Sequence, residues 1–165
     1  MLDRMSLPDG VEIRRANDDE LERVVRLRWT WNVDERGERP AIDEQAFIAG
    51  AAAWARAHTV SHIPHVAVLN GEVIGMAWLA LTPRVATTSS LDRFSGDLQS
   101  CFVLPAHRDS GIGGALVRAV LETARTSGAE HVTVHTSAGS TAMYTRNGFR
   151  SSTRLLFADV AVTEA

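Results

Sequence analysis

At 165 residues the chain has the length of one domain that buries roughly two-thirds of its surface, so neither disulfides nor a structural metal is needed to hold it. Its 45% hydrophobic content is that of a globular protein rather than a disordered one, and its net charge of −3 argues against a nucleic-acid binder and toward small cationic partners. One cysteine excludes an internal disulfide, and no apolar run approaches the roughly 20 residues of a membrane span. The expectation is a single domain over 1–165 in a reduced, cytoplasmic setting away from membranes, with no signal peptide and a flexible lead-in over 1–10.

Val11 to Arg15 alternates and reads as a first strand. Asn17 or Asp18 caps a helix whose first turn carries Asp18, Asp19 and Glu20 and whose apolar face is Leu21, Val24, Val25, Leu27 and Trp31. Gly37 and Pro40 end it. A second helix starts near Asp43, shows Phe47, Ala51 and Trp54 on one side, and fades from His58 to Pro64. His65 to Leu69 is a strand, Asn70-Gly71 a type I′ turn and Val73 to Leu81 the returning strand. Thr82 to Gly96 is polar, lacks a period and reads as a loop. A strand, a glycine loop and a helix closed by Ser127-Gly128 follow. His131 to Thr136 is a strand, Ser140 to Asn147 a short helix closed by Gly148, and Phe149 to Val160 a last extended segment centred on Leu155, Leu156 and Phe157. This order predicts an α/β layer arrangement with a mixed sheet.

Chemistry concentrates in Asp97 to Ala119. Cys101, Phe102 and Val103 are strand formers, and Pro105 stops the ladder. After Arg108, Gly111, Gly113 and Gly114 comes a helical stripe of Ile112, Ala115, Leu116, Ala119 and Val120. Strand, glycine loop and helix together hold an anion, because first-turn amides lack partners and glycines let a phosphate approach them. The nucleoside-triphosphate loop requires a lysine that is missing here. The dinucleotide loop requires a third glycine where Leu116 stands, and no βαβ unit with an acidic ribose ligand clearly follows. Arg108-x-x-Gly111-x-Gly113 resembles the Gln/Arg-x-x-Gly-x-Gly/Ala signature of the Gcn5-related N-acetyltransferases (GNAT), in which the loop cradles the pyrophosphate of acetyl-coenzyme A. Phe102-Val103-Leu104-Pro105 is similar to that family's strand and proline.

A second stretch, Ser137 to Phe149, resembles the family's Asn-x-x-Ala-x-x-x-Tyr-x-x-x-Gly-Phe segment, with Tyr144 on the tyrosine and Gly148-Phe149 on the final pair. A phenol is protonated at neutral pH and can hand a proton to a departing thiolate; Tyr144 is the only tyrosine. Ser137 and Ser140 replace the family's Asn and Ala and still offer hydroxyls to the cofactor. Asp109 and Ser110 stand where members carry a small or basic and a basic residue, so Asp109 is expected to face solvent while its backbone amide does the holding, and Arg108 supplies the main local positive charge.

For a base, alternation puts Asp97, Gln99, Cys101 and Val103 on one strand face, and Asp97 lies six residues before Val103, where several family members hold a catalytic Glu. His65 and His107 are natural bases without a firm geometric claim. His58, His62 and His65 lack a carboxylate or cysteine companion, so no metal is expected. Cys101 packs rather than attacks.

The resemblance implies a GNAT-like fold: a mixed, mostly antiparallel sheet of six to seven strands flanked by four helices. It also implies acetyl transfer from acetyl-coenzyme A to a primary amine, small-molecule or peptide, by direct attack. Asp97 and Tyr144 would be catalytic, and Phe102, Val103, Arg108 to Gly114, Ser137 and Ser140 would hold the cofactor. Trp29, Trp31, Glu35, Glu38 and Trp78 would form an acidic, aromatic-walled acceptor pocket, with Trp31 and Trp54 favoured as core instead. The other class is a non-catalytic acyl-coenzyme A sensor, which keeps the glycine loop and does not depend on Tyr144. A homodimer through the last strand is the expected assembly.

Overall fold

The computed structural model describes residues 7–160. Alternation at Val11–Arg15 makes β1, after which the Asn17 amide donates to the Glu20 carboxylate at 2.7 Å and starts a 3-10 turn over Asp18–Glu20. That turn runs into α1 (Leu21–Trp29), which continues as a π-helical turn over Thr30–Glu35. Asp43 caps α2 (Glu44–Ala57) by accepting from the Ala46 amide at 2.9 Å. Asn70 and Gly71, with φ of 51° and 80°, join β2 (His62–Leu69) to β3 (Glu72–Arg84) as a type I′ turn requires. Then come β4 (Arg93–Val103), a 3-10 turn at Pro105–His107, α3 (Ile112–Thr126), β5 (Ala129–Val134) and α4 (Thr141–Arg146).

The sheet runs β1-β2-β3-β4-β5, antiparallel except for β4–β5, which is parallel because α3 carries the chain back across the sheet. One face is covered by α1 and α2, where Val24, Val25, Ile48 and Ala52 meet Val66, Met76 and Phe102. The other is covered by α3, where Ile112, Leu116, Val117 and Val120 meet Ala67, Leu79, Leu98 and Tyr144. The mixed α/β arrangement with four α-helices is the expected one, but the described residues form five strands rather than six or seven.

The missing strand is the last segment. Phe149 docks edge-on against Tyr144, ring centroids 5.5 Å apart, but Leu155, Leu156, Phe157 and Val160 are exposed and unpaired in any ladder. A run of apolar residues without alternation suits a strand covered on both faces, and here all three side chains stay exposed. The expected dimer therefore has no last strand to pair through.

Other boundaries shift for local reasons. β2 starts at His62, not His65: Pro64 is tolerated because its carbonyl accepts from Ala16 at 2.9 Å just beyond the end of β1, where no further ladder bond is required of its nitrogen. The expected loop from Thr82 to Gly96 shrinks to 85–92, since β3 and β4 stay paired to Arg84↔Arg93. That ribbon is largely solvated, which removes any period from its sequence. β5 is Ala129–Val134, two residues earlier than expected. Within the expected flexible lead-in, Leu7 packs against the α3-side core and the Pro8 carbonyl accepts from Val11 at 3.2 Å; residues 1–6 lie outside the described residues.

Candidate active site

The strand-to-helix turn after β4 forms the floor of a groove of about 800 Å³, walled by Cys101 and Val103 of β4, residues 107–109 and 111–114, and the inner side of α4. Gly111 takes φ +82° as N-cap of α3, a conformation that L side chains rarely adopt, and no side chain caps the helix there. The first-turn amides are thus left to the groove that Ile112, Gly113 and Gly114 line. Cβ atoms at Gly113 and Gly139 would meet almost nothing and would fill groove space instead.

The groove carries two cations besides the expected Arg108. The Arg108 side chain borders it, but its guanidinium donates to the Val103 carbonyl at 2.8 Å and to both Glu35 oxygens at 2.8 and 2.9 Å, and it lies 5.3 Å from the Phe102 ring centre. Its charge is largely met by Glu35. Arg118 of α3 and Arg146 of α4 line the groove as well, Arg118 donating to the side-chain amide oxygen of Asn147. Sequence reasoning missed both, although Arg118 sits one helical turn after Gly114 and so on the loop's side of α3. Asp109 lines the groove too, exposed and at φ +58°. The Ser110 hydroxyl donates back to the His107 carbonyl at 2.5 Å, and Ser137 pairs with Ser140 at 3.2 Å; of these serines only Ser140 lines the groove. Phe102 faces the other side of the sheet, stacked at 6.1 Å on Trp31.

β4 carries a bulge that local alternation does not reveal. Trp78 pairs with Ser100 and Leu79 with Leu98, so Gln99 is the extra residue. The expected face of Asp97, Gln99, Cys101 and Val103 is therefore split. Leu98, Cys101 and Val103 pack toward α3, whereas Gln99 and Ser100 both turn toward α1 and α2. The β4–β5 ladder ends at Leu98↔Val134, which leaves the β5-side edge of β4 without a neighbouring strand from the bulge onward.

Tyr144 of α4 is buried and is not among the residues that line the groove; its hydroxyl has no hydrogen-bond partner among the described residues, burial raises its pKa, and the nearby Cys101 raises it further. Burial pushes the Cys101 thiol up to about 12. Asp97 accepts from the Thr133 hydroxyl at 2.9 Å across the β4–β5 ladder and lines neither the groove nor the cavity described next. Among the described residues no group of three or more His, Cys, Asp or Glu could hold a metal ion.

On the opposite face lies a second cavity of about 460 Å³, bounded by Val25, Arg28, Phe47, Ala51, Trp54, His62, Trp78, Gln99 and Ser100. Of the expected pocket residues only Trp78 lines it; Phe47, Trp54 and His62 make up the rest of its aromatic wall, Trp29 and Trp31 are not part of it, and no acid lines it. Glu35 is bound to Arg108 and Glu38 pairs with Arg36, while Trp54, favoured as core, is 46% exposed. Trp31 is half-buried against the core. The His62 ring meets Trp54 edge-on at 4.7 Å and bonds the Ser61 hydroxyl through Nδ1 at 2.9 Å; burial, helped by His58, lowers its pKa.

Solved structures share this architecture. A predicted acetyltransferase from Clostridium acetobutylicum with acetyl-CoA superposes with a TM-score of 0.73 at 18% identity, over 90% of this chain and 96% of that one. An aminoglycoside acetyltransferase from an uncultured soil metagenomic sample gives 0.70 at 15% identity, over 94% and 98%. The glucosamine-6-phosphate N-acetyltransferase of Arabidopsis thaliana gives 0.70 at 10% identity, over 93% and 100%. No curated protein matches the chain. The family model described as acetyltransferase (GNAT) family matches residues 21–149, from the start of α1 through the phosphate-type loop to the Gly148-Phe149 pair. The chain belongs to the GNAT acetyltransferase family and is an acyltransferase.

Proposed function

We propose that the protein transfers the acetyl group of acetyl-coenzyme A directly to a primary amine bound in the cavity on the α1–α2 face. The observation that carries this reading is the bulge at Gln99, which brings the groove and the cavity to opposite sides of one strand whose outer edge is open.

The groove's donors fit the cosubstrate. The first-turn amides of α3 suit a diphosphate, with Arg118 and Arg146 as its counter-charges, and the free edge of β4 from Gln99 to Val103 can pair with the amide groups of the pantetheine arm as an added strand. That arm would bring the thioester to the bulge. The amine nitrogen bonds to the carbonyl carbon, the carbon–sulfur bond breaks, and the products are an acetamide and the free thiol of coenzyme A.

Two protons must move. His62, kept neutral near pH 7, takes the one from the incoming ammonium. Asp97, already engaged by Thr133, supports the ladder at the point where it opens. Tyr144, kept protonated by its burial, donates to the developing thiolate. With its pKa raised above a thiol's ordinary value of about 8.5, the phenol stabilises that charge mainly as a hydrogen-bond donor, and the proton that completes the thiol is the second one the nitrogen loses as the carbon–sulfur bond breaks. Because Cys101 stays a thiol at neutral pH, direct attack is favoured over an acetyl-cysteine intermediate.

Tyr144→Phe is the test. Thiol release from acetyl-coenzyme A in the presence of amines should fall about 10²-fold, as loss of a transition-state donor does, with coenzyme A binding unchanged by calorimetry. Undiminished release with binding intact would remove Tyr144 from the chemistry. Binding with no release by the parent protein for any amine would favour the sensor reading.

A further inference from the structure

The cavity on the α1–α2 face contains a cation and no compensating acid. Arg28 is partly buried at its edge, with no hydrogen bond and no ion pair among the described residues; its guanidinium carbon lies 6.0 Å from the Trp31 ring centre. Burial lowers its pKa, and two charges act on it at longer range in opposite senses, Glu38 and Arg36; it is a cation in a partly dry site whose nearby acid, Glu38, pairs with Arg36 rather than with it.

Two more donors belong to residues of the same wall. The Trp78 indole nitrogen and the Ser100 hydroxyl are buried within that wall and have no hydrogen-bond partner among the described residues. Buried polar atoms are nearly always paired, so two such orphans on one cavity wall mark where a ligand completes the set. Trp54, Trp78 and Phe47 supply an apolar, aromatic remainder, and Val25 and Ala51 add aliphatic surface.

We infer, resting on the acetyl-transfer reading above, that the acceptor is an amine that also carries a carboxylate, with a compact apolar or aromatic body: an amino acid or a close relative. Arg28 and the orphaned donors of Trp78 and Ser100 take the carboxylate, the aromatic walls take the body, and the amine is left toward Gln99 and the open edge of β4. A guanidinium presents paired donors that match a carboxylate's two oxygens. A polycationic amine, by contrast, would meet Arg28 as a like charge and find no acid on the cavity wall.

The experiment compares matched amines in one preparation: phenylalanine, leucine and tryptophan, each with its carboxamide and its decarboxylated amine, plus tobramycin as the polycation. Release of free thiol from acetyl-coenzyme A gives kcat/KM. The acids should exceed their amides and decarboxylated amines by about 10- to 100-fold, the range for a charged pair held away from bulk water. In Arg28→Gln that ratio should collapse toward one, and in Ser100→Ala it should shrink in the same direction. A ratio taken within one variant is insensitive to the fraction of protein that folds.

Equal rates for acid and amide, or a preference for tobramycin, would overturn the carboxylate assignment while leaving acetyl transfer standing. No thiol release with any amine would instead strike at the transfer reading. In that case stabilisation by N-acetylphenylalanine but not by its amide, lost in Arg28→Gln, would still support the anion site, and the absence of such stabilisation would end it.

Discussion

Asp109 is the residue where the loop departs most from what an anion site requires. It stands at φ +58°, exposed, on the lining of the groove, and it brings a negative charge to the place proposed above for a diphosphate. Left-handed backbone at a non-glycine residue costs on the order of 1 kcal/mol, and the position one residue before Ser110-Gly111 fixes it. Two substitutions separate strain from charge. Asp109→Gly should relieve both, tightening coenzyme A by about 3- to 10-fold at low salt while raising the melting temperature, with the affinity gain shrinking as ionic strength screens the exposed charge. Asp109→Asn should show the affinity gain with little change in stability, since asparagine tolerates the same conformation. Calorimetry at two ionic strengths and a melting curve check both; weaker binding in either variant would mean that the carboxylate helps to hold the ligand.

At the scale of elements, the groove depends on how closely α4 approaches α3. A Cβ at Gly114 would stand 2.8 Å from the Asn147 amide nitrogen and 3.0 Å from its oxygen. Asn147 cannot give way cheaply, because it donates to the Met143 carbonyl at 2.8 Å and accepts from Arg118 at 2.5 Å. Gly114→Ala should therefore push α4 outward, release Arg118, weaken coenzyme A by about tenfold and cost on the order of 1–3 kcal/mol in urea denaturation, as overpacked contacts do. Gly113→Ala, with only Val103 near at 4.0 Å, should spare stability and affect binding alone. Equal stability losses in the two variants would refute the assignment of these roles.

The same scale explains what could be read from the residues alone. α3, β1 and the Asn70-Gly71 turn are encoded locally, by a 3.6 period, by alternation and by a dipeptide that accepts positive φ, and all three stand where local pattern puts them. The glycine loop was legible for the same reason. The bulge was not, because Gln99 becomes the extra residue only through the register that β3 imposes, and the split face followed from missing it. Arg28 was invisible as a site residue because its meaning lies in the partners it lacks, which only the packed structure displays. The pairing of Arg108 was not legible because Glu35, the group that meets its charge, lies 73 residues earlier on the π-helical turn.

For the whole molecule, two buried ionisable groups near the same end of β1 and β2 set the response to acid. His65 lies in β2 under α3, bonded through Nε2 to the Thr123 hydroxyl at 2.7 Å, and burial pushes its pKa down to about 4. Glu20 is buried after β1, held by the Arg14 guanidinium at 2.7 and 2.8 Å and by the Asn17 amide, which lower its pKa to about 2. Both values lie below those of the unfolded chain, so in each window the unfolded state binds more protons and stability falls as pH falls. The windows are separate. For His65 the loss begins near its unfolded value of about 6.5 and ends near 4, a change on the order of 3 kcal/mol. For Glu20 the contribution is whole above about 4.5 and is lost toward 2. Urea denaturation between pH 7.5 and 4.5 should thus show stability declining already above the range where carboxylates titrate. In His65→Gln, whose amide can still bond Thr123, the curve should flatten over that interval, apart from a smaller slope left by His62, whose pKa is also lowered. Glu20→Gln should keep the upper slope and lose the lower one. An unchanged decline from pH 6.5 to 4.5 in His65→Gln would show that another group carries it.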